Sequence, residues 1–442
     1  MDERRAAALR ILDAALRAAD PRAAVLRALA IDGTRLRVAD QEEIDLKVVD
    51  RVLLVGAGKA AVGMARGALE VFGGWIAEGS LTTRHGGGAD LPGIEVWEAA
   101  HPVPDTGGLA GAADALRLAR AAGPRDLVLC LLSGGASALW PAPVAGVSLS
   151  DLQRVTERLV RCGAPIAEIN CVRKHLSRIA GGRLAQAAAP ARIVTLAISD
   201  VVGGALDAIG SGPTVPDPTT YEDALEVLDR WEVDAPASVL AHLRRGDAGQ
   251  IADTPDDFDP AFARASAYVI ASNADALRAA ADEAARLGWD ARVVADDVEG
   301  DARSVGEQVA RLGLETRAER SPRPIALLLG GETTVAVKGG GRGGRNQELA
   351  LGAALELSGE SGILVASAAT DGVDGPTDAA GGFADGGTVA RGEAAGLDAD
   401  DALRRNDAYP FLRAAGDLIV TGPTGTNVND IIVVLVDPAS PD

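Results

Sequence analysis

Apolar residues fall in two rhythms along this chain. Short, nearly uninterrupted apolar runs occur at residues 51–55 (RVLLV), 126–132 (DLVLCLL), 193–199, 325–329, 363–369 and 431–436. Runs of that length predict strands buried on both faces, as in a sheet covered by helices. Shorter stretches at 80–83, 95–98, 268–271, 291–295, 333–337 and 417–421 predict further strands, the last closing the fold as a hairpin with 431–436. Elsewhere apolar residues repeat every three to four positions, the helical period. Helices are predicted over 4–29, broken at Pro21 behind Asp20, over 170–185, over 274–287, up to Leu312, and from Arg345 onward. Strand and helix alternate, so the fold class is α/β.

A chain of 442 residues exceeds one ordinary core, and two domains are expected. The polar, acidic stretch at 244–262 (RRGDAGQIADTPDDFDPAF) marks the boundary, giving domains 1–255 and 265–442.

Candidate chemistry sits where strands end in glycine. Residues 339–344 hold five glycines and Arg342, and Arg345 and Asn346 then open a helix. Glycines admit an anion close to backbone N–H groups, a helix N-terminus adds its positive dipole end, and arginine forks suit phosphate or carboxylate. A tight turn with solvated arginines accounts for the loop equally well on its own. No G-K-[ST] follows, so this is not a Walker A loop. After the strand at 51–55 comes Gly56-Ala57-Gly58-Lys59-Ala60-Ala61, a G-x-G-x-x-A turn. The strand at 80–83 ends in Arg84 where a ribose-binding acid would stand, so Lys59 reads better as a phosphate ligand. Ser133, Gly134 and Gly135 close the strand at 126–132, and without a G-x-S-x-G elbow Ser133 reads as a binding hydroxyl. His101, beside Pro102, reads as structural.

Acidic loops supply the complement. Asp200 ends one strand and opens a long loop that also carries Asp207. Asp371, Asp374 and Asp378 follow the strand at 363–369, a grouping that suits Mg²⁺ shared with substrate phosphates, with an Asx-turn loop as the alternative. Arg173, Lys174, His175 and Arg178 make one helix basic, pointing to an anion nearby or to a solvated face.

Charge narrows the partners. Asp and Glu number 63 against 43 Lys and Arg, a net charge of −20 that argues against nucleic acid and anionic membrane. Only Lys47, Lys59, Lys174 and Lys338 are lysines, a bias expected of a halophilic source or of a GC-rich genome. Cys130, Cys162 and Cys171 show no metal-ligand spacing and read as reduced core residues. No apolar run reaches the roughly eighteen residues of a membrane helix, and the N-terminus lacks a signal-peptide core, so a cytoplasmic protein is expected.

VGAGKAA, HPVPD, LLSGGASAL, NCVRKHLSRIAGGRLA, ISDVVG, GSGPTVPDPTT, GRGGRNQELAL, ATDGVDGPTDAAG and TGPTGTNVNDI occur in the order found in class II glycerate 2-kinases, which this chain resembles from about Val55 to Val436. The resemblance implies a larger Rossmann-like N-terminal domain and a smaller MOFRL-type C-terminal α/β domain, with the active site in the cleft between them. It implies phosphorylation of D-glycerate at its 2-hydroxyl by ATP with Mg²⁺. It makes Lys59, Arg345 and Asp371 catalytic and adds Gly56, Gly58, Ser133, Gly134, Gly135, Asp200, Glu332, Arg342, Gly343 and Asn346 as binding positions. Asp371 and Asp374 are the metal candidates, Asp371 or Asp200 the proton acceptor, and a homodimer is one candidate assembly. Gly204 stands where relatives carry an acid. Two other readings stay open: a nicotinamide-dependent hydroxypyruvate reductase and a non-catalytic sugar-acid-binding protein.

Overall fold

A computed structural model describes residues 3–201 and 204–438. The chain forms two compact units, Pro21–Ile270 and the pair of segments Met1–Asp20 with Ala271–Asp442. The expected division at 1–255 and 265–442 differs from this at the front and at residues 265–270, whose strand joins the sheet of the first unit. Helix Glu3–Ala18 packs on helix Asn273–Arg286, placing its buried Ile11, Leu12 and Ala15 in the C-terminal unit.

In Pro21–Ile270, a small antiparallel sheet comprises β1 (Leu29–Asp32), β2 (Arg35–Val38) and β3 (Glu42–Asp45). The main sheet holds β4 (Arg51–Ala57), β5 (Ile76–Arg84), β6 (Ile94–Ala99), β7 (Asp126–Leu132), β8 (Arg192–Ile198) and β9 (Ala265–Ala271). Their order is β6-β5-β4-β7-β8-β9, and β6/β5, β5/β4, β4/β7 and β7/β8 pair in parallel. Every residue of β7 is buried, which is why its sequence is a continuous apolar run and not an alternation. Leu53, Val55, Val128, Cys130 and Ile193 form one core with Leu116, Ala119 and Leu184 from the helices above.

A second, helical core fills the same unit. Leu152, Val155 and Leu159 share a face of helix Leu149–Arg161 and meet Val172, Leu176, Tyr221, Val227 and Leu243. The helix predicted over 170–185 is instead two, Ile166–His175 and Arg183–Ala188. Lys174 and His175 are buried and not on a solvated face. Lys174 Nζ lies 3.3 Å from Asp217 Oδ1 and 3.5 Å from Asp207 Oδ2, so its charge is paired inside the fold.

In the second unit the sheet order is β10-β11-β15-β12-β13-β14, with β10 (Asp290–Val298), β11 (Ile325–Gly331), β12 (Ile363–Ala369), β13 (Gly381–Asp385), β14 (Leu418–Ile419) and β15 (Asp430–Val436). The closing hairpin does not form. β15 inserts between β11 and β12, antiparallel to both, because all seven of its side chains need burial. β14 pairs with β13 at the edge. Residues 333–337 also fail to form a strand. The Thr334 backbone bonds to Gly300 and Ala302 instead, and Val337 is 78% exposed.

The helix bearing the basic residues carries its own titration. His175 is fully buried, its Nδ1 donating to the Cys171 carbonyl and its Nε2 to Asp253 Oδ1, both at 2.8 Å. Burial opposes a charge there, but the hydrogen bonds to Asp253 and Cys171 outweigh it and push the imidazole up to about 9. A folded pKa above the unfolded value of 6.5 means a contribution complete below pH 6.5 and lost as pH rises through about 9. We expect unfolding free energy to fall by roughly 3 kcal/mol at most across that window. Urea melts should show the slope in the wild type and a flat profile in His175→Gln; equal slopes would remove His175 as its source.

Candidate active site

In the sheet of Pro21–Ile270 the chain runs from β4 outward through β5 and β6, then returns to the other side of β4 as β7. The carboxyl ends of β4 and β7 therefore flank a topological switch point, where open α/β sheets hold their ligands. Lys59 stands in the turn after β4, between that strand and helix Ala61–Phe72. Its N–H donates to the Gly134 carbonyl (2.9 Å), the Ala60 N–H to Ser133 Oγ (3.0 Å), and the Ser133 N–H to the Ala57 carbonyl (3.1 Å). The two turns are thus stitched together. Gly58 makes this fit: it holds φ +136°, and a Cβ there would collide with the Ser133 hydroxyl.

Two of the predicted ligands are structural at this switch point. Ser133 is 1% exposed and its oxygen accepts the Ala60 N–H, so it ties the two turns together. Gly56 lies inside β4, where a Cβ would come within 2.7 Å of the Leu131 carbonyl; it serves the strand pairing. Gly134 and Gly135 remain at the turn. A Cβ on Gly135 would lie 2.9 Å from the His101 ring and 3.7 Å from Lys59 Cγ, which puts His101 at the site. Desolvation, then the charges of Lys59 and Arg84, push the His101 imidazole down to about 4. It is neutral at pH 7, and Lys59 and Arg84 supply the positive field. Arg84 ends β5, and its only signal in the sequence was the missing acid. Asp200 lies two residues past β8, at the same carboxyl end of the parallel strands. Part of its loop, Val202 and Gly203, lies outside the described residues.

The second unit holds an arginine against two carboxylates. Asp430 opens β15 and pairs in register with Gly331 of β11 and Ala369 of β12, so it sits where both strands end. Arg345, the first residue of helix Arg345–Glu356, grips it with a fork: Nε to Oδ2 at 2.6 Å and Nη2 to Oδ1 at 2.9 Å. Glu332 takes Nη1. Burial works against the guanidinium charge, but the Asp430 carboxylate more than offsets it and holds the pKa above the ordinary arginine value. Arg345 is a fixed, oriented cation.

Asp374 is not free to ligate a metal. Its oxygens accept the N–H of Asn346 (3.2 Å) and Gln347 (2.9 Å) and the Gln347 side chain (2.9 Å), capping the helix that Arg345 starts. Burial pushes its carboxyl up to about 6, with the Gln347 and Asn346 N–H groups pulling the other way. The helix terminus expected to receive an anion is therefore filled by the protein's own carboxylate. Asn346, predicted as a ligand, is fully buried and accepts from Ser367 Oγ at 2.6 Å. The glycine-rich turn is pinned as well. Asn406 Oδ1 accepts from the amides of Lys338 and Gly339, Asp407 Oδ1 from Arg342, and the Arg405 carbonyl from Gly341. Four amides that could have cradled a phosphate are used internally. Gly344 is small because a side chain would strike Asp374, and Gly343 packs against Gly375. Arg342 is exposed, its guanidinium 4.7 Å from the Tyr409 ring centre. Asp371 follows β12, one oxygen accepting from the Val373 amide at 3.1 Å.

A family model described as a domain of unknown function, DUF4147, matches residues 7–244, and the MOFRL family model matches 325–430. A glycerate 2-kinase of Pyrococcus horikoshii is 42% identical over 434 residues, 97% of this chain and 96% of that protein. The chain belongs to the class II glycerate kinase family. A crystal structure of glycerate kinase from Thermotoga maritima matches with a TM-score of 0.86 and 39% identity, over 99% of this chain and 100% of that one. An Agrobacterium vitis relative, 40% identical over 97% of this chain and 93% of its own length, carries the name putative hydroxypyruvate reductase.

For this class II glycerate kinase family member, the Asp374 cap gives a direct test. Asp374→Ala strips two helix N–H groups and Gln347 of their acceptor, and unfolding free energy at pH 7 should fall by about 2 kcal/mol. Urea denaturation measures it. A change below roughly 0.5 kcal/mol would show the cap to be idle.

Proposed function

We propose that this protein transfers the γ-phosphoryl group of ATP to the 2-hydroxyl of D-glycerate, giving 2-phosphoglycerate and ADP. The observation that carries the reading is the full-length similarity to glycerate 2-kinases in a chain that has Lys59 at a switch point and Arg345 clamped at the end of the interior strand β15. Phosphoryl transfer asks the protein for positioning and charge neutralisation more than for covalent chemistry. The glycerate oxygen bonds to the γ-phosphorus as the bond to the β,γ-bridging oxygen breaks, and ADP leaves with that electron pair. Lys59 and Arg345 stabilise the negative charge that spreads over the transferred group. The hydroxyl proton passes to a carboxylate, Asp371 or Asp200.

Magnesium is part of this proposal. With Asp374 committed to a helix cap, the donor set that suits it is the single carboxylate of Asp371 with nucleotide phosphates, a combination Mg²⁺ accepts. Bound there, the ion would neutralise charge on the phosphate chain.

Nicotinamide-dependent reduction of hydroxypyruvate is the second reading, favoured by the G-x-G-x-x-A turn. Loss of NADH or NADPH absorbance with hydroxypyruvate would establish it. The kinase reading predicts ADP release with D-glycerate in a coupled assay, with 2-phosphoglycerate and not 3-phosphoglycerate as product. Lys59→Ala should lose on the order of 10² or more in kcat while keeping its Tm. Arg345→Lys should be severely impaired, because lysine cannot reproduce the fork. Arg342→Lys should be milder and act on KM. The reverse ranking of the two arginines would show their roles exchanged.

A further inference from the structure

Helix Ile166–His175 ends in three consecutive basic residues, and two have partners: Lys174 with Asp217 and Asp207, His175 with Asp253. Arg173 is different. Among the described residues no carboxylate, carbonyl or hydroxyl meets its guanidinium, and burial alone acts on it, lowering its pKa. In a chain with 63 acidic residues a partly buried arginine with no carboxylate against it among the described residues is an anomaly. A charge drawn partly out of water is normally paired because desolvation is costly. An anion from solution can supply the missing partner.

Arg173 lines a cavity of about 40 Å³ with Ser137, Ser211, Trp140 and Pro102. A water-sized group needs roughly 10–15 Å³ by this measure, so the cavity takes about three, the size of a carboxylate head. A hydroxyl relay borders it: Ser137 Oγ to Ser211 Oγ at 2.9 Å, and Ser211 Oγ donating to Asn170 Oδ1 at 3.2 Å. Ser211 holds φ +59°, a conformation side chains rarely adopt, and so presents its hydroxyl there. Ser137 ends the relay, and its O–H can turn toward an anion for the loss of one neutral hydrogen bond. The cavity also borders the switch point. Pro102 follows His101, and Ser137 stands two residues beyond Gly135, the pair that packs against Lys59.

We infer that this cavity seats the carboxylate of a small 2-hydroxy acid, D-glycerate in the proposed reaction, with Arg173 as the anchoring fork and Ser137 as an added donor. The inference rests on the kinase reading for the identity of the acid. The hydroxyl to be phosphorylated is on the carbon that bears this carboxylate, so seating it here presents that hydroxyl beside the Lys59 turn.

Calorimetric titration of the full-length protein with D-glycerate, with its uncharged amide and with ATP tests this, beside thermal melts and the coupled assay. Arg173→Met should weaken D-glycerate binding at least about thirtyfold, Arg173→Lys by less, and Ser137→Ala by a few-fold. Preference for the acid over its amide should vanish in Arg173→Met while ATP affinity stays within twofold. Its Tm should not fall, because the substitution removes a partly buried charge that no carboxylate pairs. D-glycerate affinity within threefold of wild type in Arg173→Met would overturn the proposal. So would a Tm drop of several degrees with ATP affinity lost in parallel, since that marks a structural arginine. Binding that depends on Arg173 in a protein that never turns over ATP would sink the kinase reading and leave the carboxylate seat standing. Turnover of D-glycerate with an unchanged KM in Arg173→Met would do the reverse.

Discussion

Asp430 is the point on which the C-terminal unit turns. It is 3% exposed at the start of the central strand β15, in register with the ends of β11 and β12, and only a paired cation makes a carboxylate tolerable there. Arg345 provides that pairing through both oxygens, and Glu332 takes the remaining face of the fork. Because Arg345 also begins a helix, the ion pair fixes where that helix starts. Asp374 then caps the next two amides, and the glycine-rich turn leading in is laced to residues 405–407. The loop holds a cation in one orientation, and its backbone is spent on doing so.

The N-terminal unit reaches a similar end by other means. There the switch point between β4 and β7 brings two glycine turns together, and backbone bonds between them hold the base of Lys59. Arg84 adds charge, and the neutral His101 fills space without adding more. In a protein of net charge −20, Lys59 and Arg84 gather positive charge around the His101 ring, the kind of place that attracts an anion.

Much of this was legible in the residues, for identifiable reasons. β7 and β12 read true to the residue because strands buried on both faces are continuous apolar runs with sharp polar ends. Lys59 stood out because lysine is scarce, and Arg345 because a helix opens on it. Other features depend on partners distant in sequence. Whether Asp374 meets a metal or a helix terminus is decided by residue 346, 28 positions away. Asn346 and Ser133 are polar residues in glycine-rich motifs, which look like ligands until burial shows their bonds to be internal. The place of β15 between β11 and β12 cannot be read from its own residues, since a hairpin with 417–421 satisfies the same apolar pattern. Residues 333–337 alternate as a strand should, but the chain is drawn off toward Asn406 before any ladder forms.

In the proposed reaction Arg345 acts through the orientation that Asp430 gives it, and Asp430→Asn is the variant that probes this pairing. The amide keeps the shape but removes the charge and one acceptor, so the fork loosens. Misplacement of that order should lower kcat for ATP-dependent phosphorylation of D-glycerate by roughly 10- to 100-fold. The far-ultraviolet circular dichroism should stay native. A folded Asp430→Asn protein with kcat within twofold of wild type would contradict the account.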